Sequence, residues 1–233
     1  MCTDIKIAGW IKSSFIDYPG TVSTVLFLSG CNLRCPFCHN PAIVLDELPR
    51  IPFHKIQSHL LIRKGIIDGV VISGGEPTIY KTLPDLVNEL HSIGVRVKID
   101  TNGLEPEVVE ACSADYLAMD LKAVPSKYGL LGAGYYDVEQ RLKESIKLVE
   151  KMGTKGEIRI PVVPGVVDEE DVGELIGLLR DVDKVYLQPL KNSVELLDSS
   201  LNGIKGFSPE TLMRWREQFR QTSVNCFIRG LES

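Results

Sequence analysis

The sequence predicts an α/β chain: a partial (β/α)6 TIM-like barrel in a single domain, with short strand extensions at its N- and C-termini. Short β-branched apolar runs alternate with segments of helical periodicity, the pattern of consecutive βαβ units and a parallel sheet. Six such units can be counted, fewer than the eight that close a barrel. The length, 233 residues, is one that an α/β barrel commonly fills as one domain.

Residues 5–13 read as a strand added ahead of the core, and residues 22–29 as the first barrel strand. Then come a helix at 53–64, a strand at 69–73, a helix at 83–93 and a strand at 95–100. A helix at 105–112, a strand at 116–121, a helix at 138–152 and a strand at 157–163 continue the alternation. A helix at 169–179, a strand at 184–188, a helix at 209–221 and a last strand at 224–229 complete it. Gly65, Gly94 and Gly153 follow helical runs, where a left-handed residue ends a helix. Residues 191–206, rich in Asn, Ser and Gly, read as a long loop where a substrate is met. The barrel core is thus expected at residues 20–190, with a C-terminal extension at 191–233.

Apolar residues make up 44% and charged residues 24%, an ordinary globular balance. A net charge of −5 offers no broad basic surface, which argues against a stable nucleic-acid partner. No apolar run reaches the roughly 18 to 20 residues of a membrane span, and the first residues lack the apolar stretch of a signal peptide. A cytoplasmic location is therefore expected, where thiols stay reduced.

The thiols matter because Cys31, Cys35 and Cys38 stand in one stretch, CNLRCPFCHN, with C-x3-C-x2-C spacing directly after the first barrel strand. Iron–sulfur clusters are ordinarily held by four Cys. Three on one loop can fix three irons of a cubane and leave the fourth open to a ligand. A structural zinc site would need His39 or a distant Cys as its fourth ligand. A disulfide scaffold suits neither this length nor the uneven spread of the six cysteines. Cys2, Cys112 and Cys226 read as lone thiols.

Catalytic groups of such barrels gather at the C-terminal ends of the parallel strands, and every unusual motif here falls at such an end. Ser73-Gly74-Gly75-Glu76-Pro77 follows the second strand, Asp100-Thr101-Asn102-Gly103 the third and Met119-Asp120-Leu121-Lys122 the fourth. Arg159 lies within the fifth, and Gln188-Pro189 closes the sixth. Each has a plain structural reading alone. The glycine pair is a tight βα turn, the carboxylates cap the next helix, Phe37 packs its loop and Arg159 makes an interior ion pair.

Taken together, the cysteine spacing resembles that of the radical S-adenosylmethionine (SAM) superfamily. Cys38-His39-Asn40-Pro41 resembles its subgroup that activates glycyl-radical enzymes, and the resemblance runs through nearly the whole chain. The N-terminal segment GWIKSSFIDYPG, residues 9–20, is most similar to activating proteins of anaerobic ribonucleoside-triphosphate reductase. The resemblance implies one 4Fe-4S cluster on Cys31, Cys35 and Cys38, with SAM on the open iron. It implies that Gly74, Gly75 and Glu76 meet the methionyl amino group, that Phe37 lies near the adenine and that Lys122 meets the carboxylate or ribose; for Arg159 the alternative to an interior ion pair is a contact with the SAM carboxylate. Asp100 and Asp120 would lie beside the sulfonium and, with Thr101 and the Met119 carbonyl, hold a monovalent cation. Gln188 stands where many activating enzymes carry a ribose-contacting His, and His39 reads as a substrate or outer contact. Reductive cleavage of SAM would give a 5′-deoxyadenosyl radical that takes a hydrogen atom from a glycine of a glycyl-radical partner. A flavodoxin- or ferredoxin-like protein would supply the electron. Two rival classes are a radical SAM enzyme acting on a small molecule or nucleoside, like 7-carboxy-7-deazaguanine synthase, and a non-catalytic iron–sulfur or zinc protein.

Overall fold

The computed structural model describes residues 4–134, 137–190, 196–222 and 224–230. Cys2 and the first five residues of the loop expected at 191–206 lie outside the described residues.

The elements follow the predicted alternation. They run β1 (Ile7–Ser14), β2 (Ser23–Leu28), α1 (Pro41–Val44), α2 (Phe53–Ile62), β3 (Gly69–Gly74), α3 (Leu83–Ile93), β4 (Arg96–Thr101) and α4 (Pro106–Ala111). Then come β5 (Tyr116–Asp120), α5 (Val138–Met152), β6 (Gly156–Val162), α6 (Val172–Leu178), β7 (Lys184–Pro189), α7 (Pro209–Arg220) and β8 (Asn225–Ile228). The strands are ordered in the sheet as they are in the chain. β1 is antiparallel to β2, whereas β2–β3, β3–β4, β6–β7 and β7–β8 are parallel. The six strands β2 to β7 are those of the partial barrel, and β1 and β8 are the two extensions.

The chain packs as two compact units, the first comprising Met1–Asn32, Asn40–Thr101 and Glu107–Leu117. β3 is apolar on both faces: Val70, Val71 and Ile72 are all at 0% exposure, as a strand sandwiched under helices requires. α3 shows how the sequence dictates its own helix. Leu83, Leu86, Val87 and Leu90 are buried at i, i+3, i+4 and i+7. Pro84 occupies the first turn, where its missing N–H costs nothing. Gly94, at φ 95° and ψ 24°, ends the helix in the left-handed region.

The second unit comprises Leu33–His39, Asn102–Pro106 and Ala118–Ser233. α5 buries Leu142, Ser145, Ile146 and Val149, and Ser145 Oγ donates to the Gly103 carbonyl at 2.7 Å. α7 starts at Ser208, whose hydroxyl accepts from the Thr211 N–H, and buries Leu212, Trp215 and Phe219. Trp215 satisfies its one donor on Glu169 Oε2 at 2.6 Å.

Two details differ from the sequence reading. Gly153 has φ 53° but ψ −124°, outside the left-handed well, because the chain continues into a 3-10 turn at Gly153–Lys155. The helix expected from residue 169 begins at Val172, after a 3-10 turn at Glu169–Asp171. There Asp168 and Asp171 cap each other's backbone N–H groups, and Lys127 Nζ bonds Asp171 at 2.6 Å. This tight reciprocal cap favours the 3-10 turn.

Trp215 is 1% exposed. Trp215→Ala is expected to lower the stability of the cluster-free chain by about 3–5 kcal/mol, the cost of emptying a large aromatic site. The urea unfolding midpoint measures this.

Candidate active site

In the first unit the site starts from strand register. β2 and β3 pair so that Leu28 stands opposite Gly74, and the chain leaves the two strands side by side. The Gly75 N–H donates to the Leu28 carbonyl and the Glu76 N–H to the Gly30 carbonyl, both at 2.9 Å. A Cβ on Gly75 would lie 1.9 Å from the Gly30 oxygen and 3.3 Å from Cys31 Cβ. Gly74 has φ 125°, and its Cβ would fall 2.3 Å from the Leu28 oxygen. Main chain therefore packs on main chain at the root of the cysteine loop, and only glycine fits.

Glu76 is 1% exposed. Its Oε1 accepts from the Thr78 N–H at 3.0 Å, from Thr78 Oγ1 at 2.6 Å and from Thr101 Oγ1 at 2.8 Å. The carboxylate thus ties its own turn to the end of β4. Two residues back from Thr101's neighbour, Lys98 places its Nζ 2.6 Å from Asp100 Oδ1. The pair shares one strand face by the two-residue period, and its side chains are 2% and 14% exposed.

In the second unit the remainder of the cysteine loop is anchored by main chain. The Arg34 N–H donates to the Leu131 carbonyl at 2.7 Å, Asp198 N–H to Pro36 at 2.9 Å and Leu197 N–H to Cys38 at 3.0 Å. A turn from the Cys38 N–H to the Cys35 carbonyl, 3.0 Å, joins the two cysteines. Phe37 is buried, Cys38 half-buried and His39 exposed. Cys35 is buried, and burial pushes its thiol up to about 11 despite the opposing Lys122 charge.

The Asp120 carboxylate bonds Arg159 Nε through Oδ1 and Lys122 Nζ, at 2.8 Å, through Oδ2. Burial works to raise this carboxyl, but the guanidinium and the ammonium outweigh it and hold it well below the usual range. Asp120 and Cys35 in turn hold Lys122 above its ordinary value against its own burial. The Lys122 N–H donates to the hydroxyl of Tyr128, itself 1% exposed, at 3.1 Å. Gln188 lies on β7 opposite Pro161 of β6.

Of the residues read from the sequence, Cys31, Gly74, Gly75, Glu76 and Asp100 belong to the first unit. Cys35, Phe37, Cys38, Asp120, Lys122, Arg159 and Gln188 belong to the second. Arg159 makes the interior ion pair of its plain reading, with Asp120. Lys98, Tyr128 and Gly30 were not singled out in the sequence. For Lys98 a signal existed: a lysine inside an otherwise apolar strand, two places from an aspartate, needs that aspartate once buried. Cys112 and Cys226 are buried, and none of the five described cysteines is in a disulfide.

Thiols are donors of the kind that hold iron–sulfur clusters, and three stand here within eight residues of chain. The chain belongs to the radical SAM superfamily, whose sequence profile matches residues 25–179. A Methanocaldococcus jannaschii protein, provisionally named a glycyl-radical enzyme activating enzyme, is 34% identical over 78% of each chain. The pyruvate formate-lyase-activating enzyme of Clostridium pasteurianum is 30% identical over 75% of this chain and 77% of its own. The 7-carboxy-7-deazaguanine synthase of Aquifex aeolicus is 37% identical over 78% of this chain and 75% of its own. Among solved structures, Streptococcus suis SuiB bound to S-adenosylmethionine superposes with a TM-score of 0.59 at 19% identity. That match covers 88% of this chain and 52% of SuiB, a likeness of fold. Membership of the superfamily implies a 4Fe-4S cluster and SAM, and the thiol loop supplies ligands of the right chemistry for the cluster.

Two outcomes follow. In cluster-free protein, iodoacetamide should label the half-buried Cys31 and Cys38 well before the buried Cys35, as read by peptide mass spectrometry. Asp120→Asn should lower stability by about 3 kcal/mol at neutral pH, because Arg159 and Lys122 lose their carboxylate. A carboxyl held low contributes stability above its unfolded value, about 4, and loses it as pH falls through the folded one. The gap between wild type and variant should therefore narrow below about pH 4, measured by denaturant midpoints across pH.

Proposed function

We propose that the chain is a radical SAM activase that generates a glycyl radical on a partner enzyme, and that this partner is an anaerobic ribonucleoside-triphosphate reductase. The observation that carries the activase reading is the 34% identity to the Methanocaldococcus protein, sustained over 78% of both chains. The identity of the partner rests on the N-terminal segment GWIKSSFIDYPG.

In this reading the thiolates of Cys31, Cys35 and Cys38 hold the cluster. When bound, cluster and SAM supply a 5′-deoxyadenosyl radical after one-electron reduction by a flavodoxin- or ferredoxin-like donor. The chain's own part is to bind and orient. Gly74, Gly75 and Glu76 present main-chain polar groups to the methionyl ammonium. Lys122 and Arg159 offer cations to the carboxylate, held in place by Asp120. Phe37 lies toward the adenine and Gln188 toward the ribose. The protein works in the cytoplasm.

A second reading is favoured by one observation, the 37% identity to the Aquifex 7-carboxy-7-deazaguanine synthase, and makes the substrate a small heterocycle. One experiment separates the two. The cluster is reconstituted without oxygen, SAM and dithionite are added, and 5′-deoxyadenosine is measured with and without the candidate reductase. A glycyl doublet in the EPR spectrum of the reductase is the expected result. Cleavage without a partner radical, with 7-carboxy-7-deazaguanine formed from a supplied heterocycle, would favour the second reading.

A further inference from the structure

The same resemblance that assigns SAM to this chain assigns a monovalent cation to Asp100, Thr101, Met119 and Asp120, yet the two acids already hold cations of their own. A monovalent ion in protein is held by hard oxygen donors whose negative charge offsets its own lost hydration. In the first unit, Lys98 Nζ lies 2.6 Å from Asp100 Oδ1, with the lysine side chain 2% exposed. Such a lysine cannot release the carboxylate to another ion, because a buried ammonium without its carboxylate is strongly disfavoured. Its second neighbour, the Tyr116 ring with centroid 5.8 Å away, offers only a quadrupole in return. Thr101 Oγ1 points its proton at Glu76. In the second unit, Asp120 faces two cations, Lys122 and Arg159, against its single charge. An incoming Na+ or K+ would meet an ammonium or guanidinium at either acid.

We infer that Lys98 is the built-in counter-ion of this site: its ammonium occupies the place at Asp100 that the resemblance gives to a monovalent metal ion, so the chain binds SAM without Na+ or K+. The inference rests on the radical SAM activase reading, in which the resemblance makes Asp100 a cofactor-side acid, and is independent of which partner receives the radical. A lysine ammonium is a compact point charge of the same sign and valence as such an ion, which suits it to this substitution.

The test uses cluster-loaded full-length protein exchanged into choline, sodium or potassium chloride at equal ionic strength. SAM affinity by equilibrium dialysis should agree within about twofold across the three salts, and a thallium(I) NMR titration should show no saturable site. In Lys98→Met, removal of the ammonium from Asp100 should create a thallium site and a tenfold or greater preference of SAM binding for sodium or potassium over choline. Adding Asp100→Asn should abolish both. A saturable thallium site in wild type, or a tenfold loss of its SAM affinity in choline, would overturn the inference, whether or not the variants fold. Failure of the activase reading would appear elsewhere, as absence of a glycyl radical on the reductase with the salt series unchanged.

Discussion

The contact of the Gly75 main chain with the Gly30 carbonyl sets the geometry of the first unit's part of the site, because nothing softer than a peptide group separates β2's exit from β3's. A methyl group added to Gly75 would sit 1.9 Å from that oxygen, so the two turns are as close as backbones can approach. From this junction Cys31 departs one residue later, at a position set by the 28–30 and 74–76 hydrogen bonds rather than by side-chain packing. Glu76 extends the constraint. Its buried carboxylate accepts from Thr101, so the end of β4 is tied to the same junction. A site that must hold a cofactor within a fraction of an ångström is best built on such unyielding parts.

Charge is arranged by the period of the strand. Lys98 with Asp100, and Asp120 with Lys122, are i and i+2 neighbours and so project from one face of β4 and from the end of β5. The balance differs between the units. In the first one lysine meets Asp100, whereas in the second both Lys122 and Arg159 meet Asp120. Lys122 belongs to the same unit as Cys35, whose thiolate form it favours against the stronger pull of burial. Were Cys35 to hold an iron as proposed, its thiol would give up that proton, and Lys122 would favour the resulting thiolate.

Much of this was legible in the sequence because short β-branched runs such as Val70-Val71-Ile72 alternate with helices that carry an apolar stripe, as α3 and α5 do. α3 begins and ends where its Pro84 and Gly94 say it should. The cysteine loop and the Gly74-Gly75 pair were legible as chemistry, since few local structures need those residues at that spacing. What escaped was pairing across distance. Nothing local tells Glu76 that it will meet Thr101, or Lys122's backbone that it will meet the Tyr128 hydroxyl. Lys98 looked like a strand residue because a sequence pattern weighs hydropathy before charge, although its burial forces a partner. The start of α6 was misread for a related reason. The apolar period marks a helix from 169, but the mutual cap of Asp168 and Asp171 holds the first turn in 3-10 form.

The assignment of Leu33–His39 to the second unit has a consequence for the order of events in the cell. These residues are synthesised among the first forty, yet their main chain is held by Leu131, Leu197 and Asp198, which leave the ribosome far later. Cys31 can reach its place as soon as β2 and β3 pair, whereas Cys35 and Cys38 wait for most of the remaining chain. This stretch of the cysteine loop is therefore held by main-chain partners that are made long after it. A chain truncated before residue 197 would lack the Leu197 and Asp198 N–H groups that bond the Cys38 and Pro36 carbonyls.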